Sequence, residues 1–284
     1  MRVPPYFDPL IERCRLDPTL RSAHLGYWPG PVVPADVPAS GVHAGQCFDR
    51  AQHRLDERLL ALAQLRPGEA LLDVGCGLGG TLEAINQREV RMLLCGLNID
   101  PRQLDLCRLL APRSGNRFHW VAGDACALPF ADGRFDRLLC VEAMFHFASR
   151  RRFLREAARV LRPGGVLVAS DLVVSPAARD IDCSSFPIRQ TLDEGYGPWP
   201  DFWGEEGGHQ ALATEAGLRC TVLEDVSEQV RPSHRYTAPG GLSLPTALTS
   251  AVADAARRAA LMLKWLHDEG HLHYMLLRLE RPSR

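Results

Sequence analysis

Leu55, Leu59, Leu62 and Leu65 recur at helical spacing and predict a helix over about Ala44–Gln64. Past the turn Arg66-Pro-Gly-Glu69 the pattern changes. A short apolar run, Ala70-Leu-Leu-Asp-Val-Gly75, is punctuated by glycine and followed by a helical stretch over Gly80–Gln87. Strand-like apolar runs then appear at Arg91–Asn98, Phe118–Ala122, Phe135–Val141 and Gly165–Asp171, with helical segments at Pro101–Leu110 and Arg150–Leu161 between them. Short apolar runs alternating with amphipathic helices signal βαβ units and a parallel sheet buried on both faces. Because such crossovers are right-handed, the economical architecture is an α/β doubly wound sheet.

The flanks are less regular. Residues 1–45 are rich in proline, with a short helix predicted at Pro9–Arg15 and the phrase His24-Leu-Gly-Tyr-Trp28. Residues 180–208 place Phe186, Tyr196, Trp199, Phe202 and Trp203 among glycines and prolines, and read as loops forming a lid. A helix at His209–Ala216, a strand at Leu218–Val226, a helix near Pro245–Asp268 and a strand at His271–Glu280 close the chain. No tandem repeat or low-complexity linker interrupts it. The expected organisation is one domain, with an N-terminal lid (1–65), a central core (66–175) and an insert with C-terminal strands (176–284).

Composition changes this picture little. The 284 residues are 46% hydrophobic and 24% charged with formal net charge -1, ordinary values for a globular chain that give no global pull toward nucleic acid or anionic membrane. Of the 33 basic residues only Lys264 is a lysine, a bias that a G+C-rich genome explains. Nine cysteines without a CxxC pair suggest neither a disulfide framework nor a zinc site, but small buried hydrophobes in a reducing compartment. The N-terminus lacks the apolar run of a signal peptide, and no stretch of 18 or so apolar residues occurs. The expectation is a cytoplasmic protein with a small-molecule partner and no membrane or nucleic-acid partner; homo-oligomerisation stays open.

The candidate chemistry starts where the first strand ends, in Asp73-Val-Gly75-Cys-Gly77-Leu-Gly79-Gly80. Glycines there let the backbone turn sharply and approach a ligand closely. Read literally, Gly75, Gly77 and Gly80 satisfy the dinucleotide fingerprint, with Asp100 near the acidic position expected for a ribose. Asp73 argues otherwise. A carboxylate two residues before the first glycine is a poor companion for a pyrophosphate and suits a ligand that brings an ammonium group, as S-adenosylmethionine does. Further signals lie along the sheet at Gly123-Asp124-Ala125, Leu128-Pro-Phe, Phe135-Asp136 and Leu161-Arg-Pro-Gly-Gly165.

With these motifs, residues 66–171 resemble the class I S-adenosylmethionine-dependent methyltransferases, in the small-molecule branch that holds sterol and tocopherol C-methyltransferases and natural-product O-methyltransferases. Leu72-Asp-Val-Gly-Cys-Gly-Leu-Gly-Gly80 is similar to their first motif, and Leu128-Pro-Phe-Ala-Asp-Gly-Arg-Phe-Asp136 to the approach to their fourth strand. Arg155-Glu-Ala-Ala-Arg-Val-Leu-Arg-Pro-Gly-Gly165 is similar to the helix and turn before the fifth, and His24-Leu-Gly-Tyr-Trp28 to their N-terminal lid segment.

The resemblance implies a seven-stranded, mostly parallel sheet, with an N-terminal helical lid, an insert after strand 5 and S-adenosylmethionine across the strand ends. It also implies the ligands: Tyr27 and Trp28 from the lid; Asp73, Gly75 and Gly77 at the methionine end. Asn98 falls where the family usually has an acid for the ribose. Ile99 and Gln103 flank the adenosine, Asp124 and Ala125 meet the adenine, and Val141 and Glu142 lie near the methionine moiety. Several natural-product O-methyltransferases carry a histidine after the fourth strand and an aspartate after the fifth, positions that His146 and Asp171 match as base and partner. Tyr196, Trp203 and His209 are candidate acceptor contacts. His267, His271 and His273 carry no convincing carboxylate, so no metal is expected. Alternatives are N- or C-methylation, a cyclase or isomerase keeping the cofactor as a structural ligand, a nicotinamide-dependent oxidoreductase, and a noncatalytic partner subunit.

Overall fold

β1 (Ala70–Val74) is buried at every position, as a strand with helices on both faces must be. The computed structural model describes residues 3–4, 6–30, 42–204, 208–237 and 250–283. Ahead of β1 come α1 (Phe7–Leu16) and α2 (Val42–Ala63). After it the chain alternates through α3 (Gly80–Arg88), β2 (Leu93–Asn98), α4 (Pro101–Cys107), β3 (Arg117–Ala122), β4 (Phe135–Val141), α5 (Arg150–Val160) and β5 (Leu161–Val174). Then follow α6 (Ile188–Tyr196), α7 (Gly208–Glu215), β6 (Arg219–Asp225), α8 (Ser227–Val230), α9 (His234–Thr237), α10 (Ser250–Asp268) and β7 (Leu272–Glu280).

The seven strands lie in the order β3-β2-β1-β4-β5-β7-β6. β7 is antiparallel to β5 and β6, whereas the pairs from β3 through β5 are parallel. The doubly wound expectation therefore holds, with a large apolar cluster on each side of the sheet. Since β1 has β2 on one side and β4 on the other, the chain reverses direction there. Ligands of open α/β sheets bind at such a switch point, outside the carboxyl ends of the strands.

Local chemistry explains the boundaries. Pro101 begins α4 and Asp100 caps it, its Oδ1 accepting from Arg102 N at 2.9 Å. Pro163 disfavours helical backbone at Arg162, and α5 ends at Val160. The one marked departure lies in residues 180–208, which are not all loop. Ile188 and Leu192, one helical turn apart and fully buried, anchor α6 against α10. The aromatic residues nearby mask that spacing in the sequence. Residues 245–249, where the last helix was expected to begin, lie outside the described residues.

Gly195 sets how closely α6 and α10 approach: a Cβ there would sit 2.3 Å from Ala259 Cβ and 2.7 Å from Ala255 O. Gly195→Ala is expected to destabilise the protein by about 1–3 kcal/mol, the usual cost of overpacking. Ala259→Gly in the same chain should recover part of it, read as the midpoint of denaturant unfolding.

Candidate active site at the carboxyl ends of the strands

At the end of β1, Gly75 (φ +80°) turns the backbone so that Gly75 N and Cys76 N both donate to Leu97 O, at 2.8 and 3.1 Å. A Cβ on Gly75 would stand 2.5 Å from Ala143 Cβ, so the loop meets the segment after β4 where only glycine fits. At Gly77 (φ +53°) the nearest atom to an added Cβ is Gln103 Oε1, 4.0 Å away. Asn98 Nδ2 donates to Gly77 O at 3.2 Å and to Gln103 Oε1 at 2.7 Å. Gly75, Gly77, Asn98 and Gln103 are thus brought together as one wall, with Ile99 half-buried beside Asn98. Asp124 follows β3, its Oδ1 accepting from Cys126 N at 2.8 Å, and Ala125 is buried next to it.

Asp73 is 2% exposed, and its Oδ1 has no hydrogen-bond partner. Burial, reinforced by nearby Asp56, pushes its pKa up to about 7. Glu142, just past Val141 at the end of β4, is the other acid of the site. Its Oε1 accepts from Leu25 N at 2.6 Å and from Tyr274 Oη at 2.7 Å, and its backbone is left-handed at φ +47°. Burial raises its pKa, with His24 opposing the rise. His24 and Asp56 were not anticipated. Burial works against a charge on His24, but Asp56 and Glu142 outweigh it and carry its pKa to about 9. Asp56 had a signal in the sequence: an acid placed on the apolar stripe of α2, one turn from Leu59.

The lid phrase behaves differently from its expectation. Arg21 Nη1 donates to Leu78 O at 2.9 Å, and Leu25 bonds Glu142, so residues 21–25 border the glycine loop. Trp28 does not. Its ring stacks on Tyr236 (5.7 Å, 2°) in a separate cluster with Phe48, and Nε1 donates to Ser233 Oγ at 3.2 Å. Tyr27 lies under the Arg58 guanidinium at 5.6 Å, and Arg58 pairs with Glu224. Both rings have packing partners of their own.

The His146/Asp171 pairing also requires correction. Asp171 is fully buried and bound by Arg150 (Nε to Oδ2, 2.6 Å) and by His209 (Nε2 to Oδ2, 2.8 Å). Burial would raise its pKa, but Arg150 and His209 hold it below the usual range. Asp171, Arg150 and His209 therefore form an internal hydrogen-bonded network joining α5, β5 and α7, which engages the ring nitrogen of His209 facing Asp171. His146 stands apart, with Nδ1 3.3 Å from Pro198 O and Nε2 3.1 Å from Tyr6 Oη. Burial lowers its pKa to about 4.

Phe145 and Trp199 flank the His146 ring at 4.2 and 6.2 Å, and Tyr196 packs edge-on to Tyr6 at 5.5 Å. Trp203 is more distant in its contacts, set against Phe202 and Arg179. Beside this cluster an open groove of about 770 Å³ runs between α6 and the N-terminal segment, lined by Val3, Cys183, Arg189, Gly197 and Pro198. Asp100 is engaged by Arg102 through backbone and guanidinium, which removes it as a ribose ligand for a nicotinamide cofactor. His267 and His273 go separate ways, to His234 and Asp225.

The family model described as Methyltransferase domain matches residues 72–169. The chain is 31% identical to methyltransferase GfsG of Streptomyces halstedii over 98% of this chain and 93% of that protein. It is 30% identical to the 27-O-demethylrifamycin SV methyltransferase of Amycolatopsis mediterranei, over 92% and 90%. Among solved structures the (4+2)-cyclase SpnF shares the fold at TM-score 0.70 and 22% identity, over 98% of this chain and 95% of that one. The chain belongs to the methyltransferase-domain family and is a class I S-adenosylmethionine-dependent methyltransferase.

Proposed function

We propose that the chain methylates a hydroxyl oxygen of a small-molecule, secondary-metabolite acceptor, with His146 as the base that takes the hydroxyl proton. One observation carries this reading. Nδ1 of His146 faces a carbonyl oxygen and so holds the ring proton, which leaves Nε2 as an acceptor, and a hydroxyl (that of Tyr6) already sits on it at 3.1 Å. The Amycolatopsis relative is named for work at an oxygen, which supports the same class.

The pocket residues fit the cofactor. A buried carboxylate oxygen without a partner at Asp73 suits an ammonium group, and Glu142 adds a second acid close by. Gly75 and Gly77 would admit the methionine end, with Val141 at its edge; Asn98, Ile99 and Gln103 would line the ribose, and Asp124 and Ala125 the adenine. Bound there, S-adenosylmethionine supplies a methyl group already activated on a sulfonium. The protein's part is to orient the acceptor, exclude water and move one proton to His146 Nε2. Tyr196 and Trp203 are proposed to meet the acceptor; it would arrive along the groove beside Pro198.

A second reading, C-methylation, is favoured by the rings around His146. Tyr6, Phe145 and Trp199 could stabilise a cationic intermediate by cation–π attraction.

The product atom that carries the new methyl group separates the two, and His146→Ala tests the base. On an O-methylated acceptor it should lower turnover by about 10²–10⁴-fold, the usual worth of a general base, with binding of S-adenosylhomocysteine unchanged. Normal turnover on such an acceptor would sink the assignment of His146 as base. A base acts when deprotonated, and His146 titrates at about 4. At saturating S-adenosylmethionine, its limb in the pH profile should therefore lie near pH 4.

Cofactor affinity should also fall with acid, but in a window nearer neutrality. Asp73 must be ionised to hold an ammonium group and titrates at about 7. Calorimetric Kd for S-adenosylhomocysteine should rise as pH falls below 7, by up to about tenfold per unit. Asp73→Asn should flatten that slope.

A further inference from the structure

The hydroxyl that sits on His146 belongs to the chain itself. Tyr6 Oη lies 3.1 Å from Nε2, and the two rings stand 5.7 Å apart at 30°. Phe7 and Tyr196 pack edge-on against the Tyr6 ring, at 4.9 and 5.5 Å. The surrounding backbone is held as well. Phe7 N donates to Pro4 O at 3.1 Å, and Asp8 Oδ1 accepts from Arg102 Nη1 at 2.8 Å. One turn further on, Ile11 and Cys14 pack with Leu78 of the glycine loop. Burial, and after it the charge of Glu142, holds the phenol's pKa above its ordinary value. The oxygen therefore keeps its proton and stands within electrostatic reach of Glu142.

We propose that Tyr6 is itself a methyl acceptor, modified on its phenol oxygen when no small molecule occupies the site. This rests on the reading of His146 as base. Any hydroxyl that surrenders its proton to Nε2 must stand where Tyr6 Oη stands, and the methyl group must be deliverable to an oxygen at that point. In the step the methyl carbon bonds to Oη and its bond to sulfur breaks. That bond's electron pair stays on sulfur, leaving S-adenosylhomocysteine, and the phenol proton passes to His146 Nε2. It happens once per chain, because the ether has no proton left to give. A tightly held phenol proton makes it slow, and a small-molecule acceptor competes by displacing Tyr6 from Nε2.

The test needs no identified acceptor. The full chain and its Tyr6→Phe and His146→Ala variants are incubated with S-adenosylmethionine alone, and the tryptic peptide spanning residues 3–13 is weighed. In the unaltered chain that peptide should gain one methylene, which fragmentation places on Tyr6. Tyr6→Phe should gain nothing there, and His146→Ala should slow the gain by about 10²–10⁴-fold. An unmodified Tyr6 in a chain that binds S-adenosylhomocysteine calorimetrically would overturn the proposal and leave the methyl-transfer reading standing. A methyl group on Tyr6 at an unchanged rate in His146→Ala would keep Tyr6 as acceptor and sink His146 as base. Silence toward S-adenosylhomocysteine would overturn the methyl-transfer reading, and this inference with it. A cofactor-free measurement checks the geometry: in histidine-selective ¹⁵N spectra, Tyr6→Phe should move the His146 Nε2 signal. An unmoved signal would count against the proposal.

Discussion

A parallel sheet covered on both faces can offer polar chemistry only near the ends of its strands, and this constraint governs the molecule. Asp73, Asn98, Glu142 and Asp171 all stand on or just beyond strands at that edge, and Asp124 follows the strand next to them. What separates their roles is compensation. Arg150 and His209 satisfy Asp171, which makes it a fixed part of the interior. Removing one partner from such a buried pair typically costs about 3–5 kcal/mol, because the other charge is left uncompensated. Asp73 has burial without a cation hydrogen-bonded to it, and its pKa is pushed up instead.

Glu142 ties the distant parts of the chain to that edge. Its carboxylate accepts from Leu25 in the N-terminal segment and from Tyr274 on β7, the strand paired antiparallel to β5. The left-handed backbone that presents it costs a non-glycine residue roughly 1–3 kcal/mol. The hydrogen bonds made there offset that strain. The N-terminal segment and the C-terminal strand therefore share one carboxylate.

The sheet was legible because each strand carries its own period and punctuation, and the glycine loop because a tight turn demands glycine at defined spacings. Partners were not legible. Asp171 looks like a catalytic acid until Arg150, 21 residues earlier, and His209, 38 residues later, close on it. Trp28 sits in the lid phrase, yet the Tyr236 ring that captures it is far along the chain. Residue type predicts what a group can do; only the fold determines whether a neighbour has already claimed it. For His146 only the fold reveals the Pro198 carbonyl that its Nδ1 faces.

The groove beside α6 has a consequence for spectroscopy. Of the nine cysteines, Cys183 is the exposed one and lies on the groove wall. Hydrogen bonds with Ser185 and the Phe186 backbone lower its pKa, whereas burial raises those of Cys95 and Cys140. A maleimide dye at neutral pH would therefore react there first, without any cysteine being engineered in or out. The attached fluorophore would stand at the edge of the groove and report whatever enters it.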